Sequence, residues 1–197
     1  FTGDPQRKRV ELGRRNFAFD PRTFVFDATT ASAQHGMCFD DWGHQFVCAN
    51  SDHIQQVMYE DRLVARNPYL KAPGGAVSIA EDGPQAPVFR TSPVEPWRIV
   101  RTRLRVAGLA PGPIEHGGKV SGYFSSATGV TIYRGDAWPA EWNGVAIIGD
   151  VGSNLIHRKK LDTAALPFVA RRVDEGAEFV ASTDTWFRPV QFENGPD

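Results

Sequence analysis

Eight side chains in this sequence have the types and spacing for chemistry at a shared site. His35 and His53 are imidazoles, whose neutral form accepts a proton near pH 7. Asn50 and Asp52 belong with His53 to the run Asn-Ser-Asp-His, and Asp150 and Asn154 bracket Asp-Val-Gly-Ser-Asn. Their hard oxygens suit Ca²⁺, and either carboxylate can orient a neighbouring base. Arg158 and Arg188 carry planar guanidinium groups, which pair with carboxylates. Each also has a plainer use, since Asx side chains in turns bond the local backbone and arginines pair along strands.

The elements that must position these residues read as a repeated strand unit. In residues 129–161, the β-rich run Val130-Thr-Ile-Tyr133 is followed by a turn rich in Pro, Asn and Gly. Next come the continuous apolar run 145–148, the polar turn 149–154 and a third run, 155–161. Residues 36–57 repeat the order: Gly-Met-Cys-Phe (36–39) matches Gly-Val-Thr-Ile (129–132), Phe-Val-Cys (46–48) matches Ala-Ile-Ile (146–148), and Asn50–His53 stand where 150–154 stand. A truncated third copy starts at Pro-Val-Gln-Phe (189–192). Repeats that cannot bury their own faces imply stacked, blade-like sheets. The expected fold is an all-β propeller fragment of two to three blades, with units at 10–35, 36–64 and 129–182 and the start of another at 189–197.

The first unit opens with a hairpin, Phe-Ala-Phe (17–19) and Phe-Val-Phe (24–26), around Asp-Pro-Arg. Residues 65–128, rich in proline, read as an irregular insertion holding one strand, 97–106, where Thr102, Leu104 and Val106 alternate with arginines. An outer strand or hairpin is expected over 164–182. In this arrangement His35, residues 50–53, 125–128, 150–154 and 186–188 share one rim, while the turns 40–44 and 138–144 lie opposite. His157 inside a strand and His44 in a far turn are poorer candidates, and His116 beside two glycines cannot be placed.

Composition narrows the function. At 197 residues and 41% hydrophobic, the chain can bury a core. A net charge of −1 gives no reason to expect nucleic acid, and no apolar run reaches the length of a membrane span. Gly149-Asp-Val-Gly152 precedes a strand, so it is not a dinucleotide fingerprint. Cys38 and Cys48 fall on adjacent strands and face each other if the turn has three residues; free thiols and a disulfide are both open. A Phe1 start, a basic lead-in over 2–9 and an end inside the turn 192–197 lead us to expect a piece of a longer protein.

GRRNFAFDPRT (13–23), GMCFDDWGHQFVCANSDH (36–53), RNPYL (66–70), SPVEPWRIVRTRLRV (92–106), SATGVTIYRGDAWP (126–139) and FRPVQFENGPD (187–197) together resemble the membrane-bound dehydrogenase family of planctomycete-type bacteria. Those are six-bladed propellers related to sorbosone and soluble glucose dehydrogenases. The resemblance implies a quinoprotein-like sugar or polyol dehydrogenase, with pyrroloquinoline quinone and Ca²⁺ as cofactors. It also implies a periplasmic setting and a c-type haem domain elsewhere in the intact protein. It makes His35 and His53 the catalytic bases for a carbohydrate hydroxyl or aldehyde. Asn50, Asp52, Asp150, Asn154, Arg158 and Arg188 become the cofactor-binding set. The chain has no Cys-x-x-Cys-His for haem attachment. The remaining blades, or a partner chain, must complete the rim. Two further readings stay open: a non-catalytic carbohydrate- or protein-binding propeller, and a lactonase-like metal hydrolase using Asn50, Asp52, Asp150 and Asn154.

Overall fold

The computed structural model describes residues 9–195. Apart from Arg9, the expected lead-in lies outside them, as do the last two residues of the 192–197 turn.

Strands β1 (Asn16–Phe19) and β2 (Phe26–Thr29) pair antiparallel as a hairpin. Asp20 accepts the Arg22 backbone N–H at 2.8 Å, and Phe24 takes a left-handed φ of 56°. The second strand therefore starts at Phe26, two residues later than the aromatic alternation suggested. Strands β3 (Met37–Phe39), β4 (Gln45–Ala49), β5 (Asp52–Val57) and β6 (Ala76–Ser78) form an antiparallel sheet in sequential order. A short helix, α1 (Asp61–Val64), lies between β5 and β6.

The second large sheet takes β7 (Ala127–Ile132), β8 (Val145–Asp150), β9 (Leu155–Asp162) and β10 (Val169–Arg172), again in sequential order. Strand β11 (Val180–Ala181) adds to the start of β9. Three antiparallel sheets and few helices make the described chain all-β.

Three expectations are corrected by this layout. Residues 65–128 are not wholly an insertion, because β6 completes the first sheet. Residues 97–106 are not a strand but part of helix α2 (Pro96–Val106). Pro96 sits at the first helical position, where its fixed φ fits and its missing N–H costs nothing. Arginine and leucine are good helix formers, so the two-residue alternation was fortuitous. The only buried side chain of α2 is Arg98. Residues 189–192 form no strand but lie along β7, where the Thr128 hydroxyl donates to the Val190 carbonyl and the Thr131 hydroxyl to Phe192, both at 3.0 Å.

The two large sheets pack through β7, which meets β3, β4 and β5. A Cβ at Gly36 would lie 2.7 Å from the Val130 backbone nitrogen and 2.8 Å from that of Gly129. Only glycine permits that approach. Gly129 itself takes a φ of +64° within a bulge of β7. Every residue of β8 is buried, as a continuous apolar run requires. Phe46, Ile54, Phe124, Val130, Ile148 and Leu155 are central to the shared core. Cys38 pairs with Phe46, whereas the Cys48 N–H donates to the Gly36 carbonyl. This two-residue offset sets the cysteines apart in register, and both are free thiols.

Candidate functional site

Backbone hydrogen bonds draw several of the expected loops together. The Gly129 N–H donates to the His35 carbonyl at 2.7 Å, Ala127 to Asn50 at 3.2 Å, and Val151 to Ser126 at 3.2 Å. Arg188 Nη1 donates to the Val151 carbonyl at 3.3 Å. His35, Asn50, residues 125–128, the β8–β9 turn and Arg188 thus occupy one end of the packed sheets. Asp52 and His53 are not in the loop but open β5, and Arg158 lies within β9, facing Ile147 across the ladder.

The side chains do not share an open pocket. His35 is exposed. His53 is wholly buried, stacked on Phe124 at 4.2 Å, with Nδ1 donating to the Pro84 carbonyl at 2.7 Å. Burial, then the Lys159 charge, pushes its pKa down to about 3, so the ring is neutral. Asp150, also wholly buried, accepts the N–H of Ser125 at 3.2 Å, the N–H of Gly152 at 2.9 Å and the Ser153 hydroxyl at 3.3 Å. Burial raises its pKa against those donors.

The remaining oxygen donors are occupied too. Asp52 accepts Gln55 Nε2 at 2.6 Å and the Ser78 hydroxyl at 2.9 Å. Asn154, at a left-handed φ of 57°, accepts the Ser92 hydroxyl at 2.7 Å and donates to the carbonyls of Thr185 and Phe187 at 3.0 and 2.9 Å. The Asn50 backbone N–H is held by Gln34 Oε1 at 3.0 Å. The calcium set expected from Asn50, Asp52, Asp150 and Asn154 does not fit. Its members are split between two sheets, and the oxygens of Asp52, Asp150 and Asn154 are committed to protein donors. Among the described residues no three His, Cys, Asp or Glu side chains gather in a metal-binding group.

Arg158 is closed as well. It clamps Asp174 through two hydrogen bonds of 2.7 and 2.8 Å and lies 4.4 Å over the Trp142 ring. Its Nε–H and one Nη2–H are spent on Asp174, so the two-pronged edge that would suit a quinone carboxylate is taken and Nη1 is left. Arg188 is different: about half exposed, it stands 3.6 Å from Glu95.

That contact leads to a cluster that sequence reasoning missed. Arg98 Nε and Arg90 Nη1 approach the other Glu95 oxygen at 3.5 and 3.7 Å. Arg98 also donates to the Ser125 hydroxyl at 3.1 Å, beside Asp150. A Cβ at Gly152 would meet Arg98 Nη2 at 2.9 Å, so the glycine leaves the guanidinium its room. Arg90 bonds Ser92 and Pro93, and Ser92 reaches Asn154. Both Glu95 oxygens, Arg90 Nη1, Arg98 Nε and Arg101 Nε are buried without a hydrogen-bond partner among the described residues. The signal was present in Pro-Val-Glu-Pro-Trp-Arg, a proline-started helix with an acid before it. Reading that stretch as a strand hid it.

Between the sheets lies a second polar group. His157 Nδ1 bonds Glu178 at 2.6 Å, buried Lys159 pairs with Asp82, and Arg172 reaches Glu178 at 3.4 Å. These groups face one another rather than solvent. An open polar groove of about 630 Å³, lined by Arg14, Ser32, Ala33, Gln34, Ala49 and Gln55, runs next to His35 and Asn50 in the chain.

The fold and site define an all-β chain of antiparallel sheets whose loop ends meet around an arginine–glutamate cluster. Residues 3–197 match the domain of unknown function DUF7133, and the chain belongs to that family. No curated protein and no solved structure matches it. Among the described residues, no helix is long and apolar enough to cross a membrane.

Proposed function

We propose that this chain is the carbohydrate-facing part of a six-bladed β-propeller of the quinoprotein-like, sugar- or polyol-oxidising kind. Its part within that protein is to bind the sugar rather than to transfer the proton or hydride. The observation that carries this reading is the meeting of His35, Asn50, Ser125, Asp150 and Arg188 at one end of two sheets. Each of those sheets runs four strands antiparallel in sequential order, with β11 as a fifth strand on β9 in the second, an order compatible with a propeller blade. The resemblance to sugar-oxidising propellers supports the redox part.

A quinone in such a protein takes up the two electrons and hydrogen lost from a hydroxyl or aldehyde. The residues described here supply neither the calcium ligands nor a base at His53. Those groups come from other blades, with electrons passing to a c-type haem domain of the intact periplasmic protein.

A second reading, a propeller that binds carbohydrate or protein without chemistry, is favoured by the engagement of Asp52, Asp150 and Asn154 with protein partners. Incubating the intact protein with pyrroloquinoline quinone, Ca²⁺, a panel of sugars and a dye acceptor separates the two. Cofactor-dependent dye reduction is the expected result. None with any sugar leaves the binding reading.

A further inference from the structure

We infer that the sugar bound at this rim is acidic, and that Arg188 reads its carboxylate in the positive field of Arg90 and Arg98. The inference rests on the carbohydrate-binding reading above and adds the ligand's charge.

The first ground is an imbalance of charge at the rim. Three guanidinium groups surround Glu95 at 3.5–3.7 Å. Even with Asp150 counted, three cations face two carboxylates. The region lies in a chain whose net charge is −1, so the excess is local.

The second ground is unmet hydrogen bonding. A charge-assisted N–H···O bond is roughly 2.7–2.9 Å long, shorter than any of these three contacts. Arg90 and Arg98 are each 8% exposed at the side chain, and Arg90 Nη1 and Arg98 Nε have no hydrogen-bond partner among the described residues. Glu95 is thus shared among three guanidinium groups at long range and offsets their charge only in part, so the cluster gains from a further anion met through Arg188. Arg188, 44% exposed at the side chain, is the member such an anion meets first.

The third ground is the aromatic frame. Trp186, 84% exposed, is two residues before Arg188, and Trp97, 54% exposed, is two residues after Glu95. Trp186 lies in a loop whose backbone is pinned by Asn154 through the Thr185 and Phe187 carbonyls, and its backbone N–H donates to Asp184 at 2.8 Å. Trp97 carries the Arg98 and Arg101 guanidinium groups at 5.1 and 4.9 Å from its ring centre. Large amphipathic rings beside a fixed cation suit a ligand with an apolar sugar face and one negative group. A neutral sugar would use the rings and leave the cations unmet.

The test is calorimetric titration of the intact protein with trigalacturonate and with neutral galactotriose. Trigalacturonate is expected to bind at least about tenfold more tightly, the worth of one charge-assisted hydrogen bond, and to weaken as salt rises. Arg188→Ala should remove that advantage while leaving galactotriose unchanged. Arg188→Lys, which keeps the charge but not the fork, should restore part of it. Trp186→Ala, at an exposed ring that the fold does not need, should weaken both sugars. Equal affinity for the two sugars, unaffected by Arg188→Ala, overturns the acidic ligand while the carbohydrate reading stands. Binding of neither sugar overturns both.

Discussion

His157 donates its Nδ1 proton to Glu178 across 2.6 Å, with both side chains sealed from solvent. A carboxylate only accepts, so the imidazole carries a proton at Nδ1. His53 has the same arrangement against the Pro84 carbonyl, and both Nε2 atoms are buried without partners among the described residues. Burial is the main cause that lowers both pKa values, that of His53 to about 3 from 6.5.

Acid sensitivity follows. Below 6.5 the unfolded chain takes up protons that the folded chain refuses, so stability is fully present above that pH and is lost as the pH falls toward about 3. For His53, as the pH falls from 6.5 toward 5, the slope approaches roughly 1.4 kcal/mol per pH unit, and His157 adds to it in the same direction. Asp52 and Asp150, raised by burial, act in the opposite sense nearer the carboxylate range. Urea midpoints at pH 7.5, 6.0 and 5.0 measure this, and a flat series contradicts it.

Lys159 is fully buried at the side chain and pairs with Asp82. Burial lowers the lysine pKa; it would raise that of Asp82, but the Lys159 hydrogen bond and charge outweigh it and lower it. Asp82→Ala strands the ammonium group, with an expected loss of about 3–5 kcal/mol. Lys159→Met added to Asp82→Ala should recover much of that loss, because the uncompensated charge goes. Denaturation of the two variants under the same conditions decides, and equal instability of single and double variants would count against an interior pair.

Much of the sheet order was legible because apolar runs and Gly/Asp turns repeat in matching order. Residues 145–148 could hardly be anything but a buried strand. The helix at Pro96–Val106 was not legible from alternation, since its exposed apolar residues sit between arginines and its buried residue is a charge. Of the site, backbone convergence could be read from loop positions in the repeat. Side-chain direction could not. His53 and Asp52 begin a strand rather than ending a loop, and a shift of one residue along a strand reverses the face. The partners of Asn154 lie 31 to 62 residues away, beyond any local pattern.

Asn154 ties three segments together from a left-handed backbone position that asparagine tolerates better than most residues. Asn154→Gly keeps the backbone and deletes the bonds to Ser92, Thr185 and Phe187; Asn154→Ala deletes them and adds strain. Both should loosen the 185–187 loop, with Ala the less stable by about 1 kcal/mol. Hydrogen exchange at Trp186 and Phe187 reports the loop, and thermal melts report the difference. Unchanged exchange in both variants would show that the loop is held by something else.

The cysteines are expected to be slow to react. Burial pushes the Cys38 thiol up to about 12 and Cys48 up to about 11, leaving little thiolate at pH 8. Ellman's reagent should titrate neither thiol quickly in the native protein and both after denaturation. Prompt native reaction at Cys48 would mean that β4 opens readily.

The close approach of β3 to β7 is tested by glycine substitution. At Gly36 a methyl group meets backbone nitrogens, which cannot swing aside as a side chain would. Gly36→Ala should therefore separate the sheets locally and cost about 1–3 kcal/mol or more. Gly43, at a φ of +84° with open space around it, is the control, since alanine there meets only backbone strain of about 1–2 kcal/mol. The two variants divide packing from conformation. If packing between the sheets sets their spacing, Gly36→Ala also speeds hydrogen exchange at Val130 and Cys48, across the contact, while Gly43→Ala leaves both amides as protected as before. Equal melting temperatures and equal exchange in the two variants would remove the tight β3–β7 contact, and with it the reason that the loop ends meet at one rim.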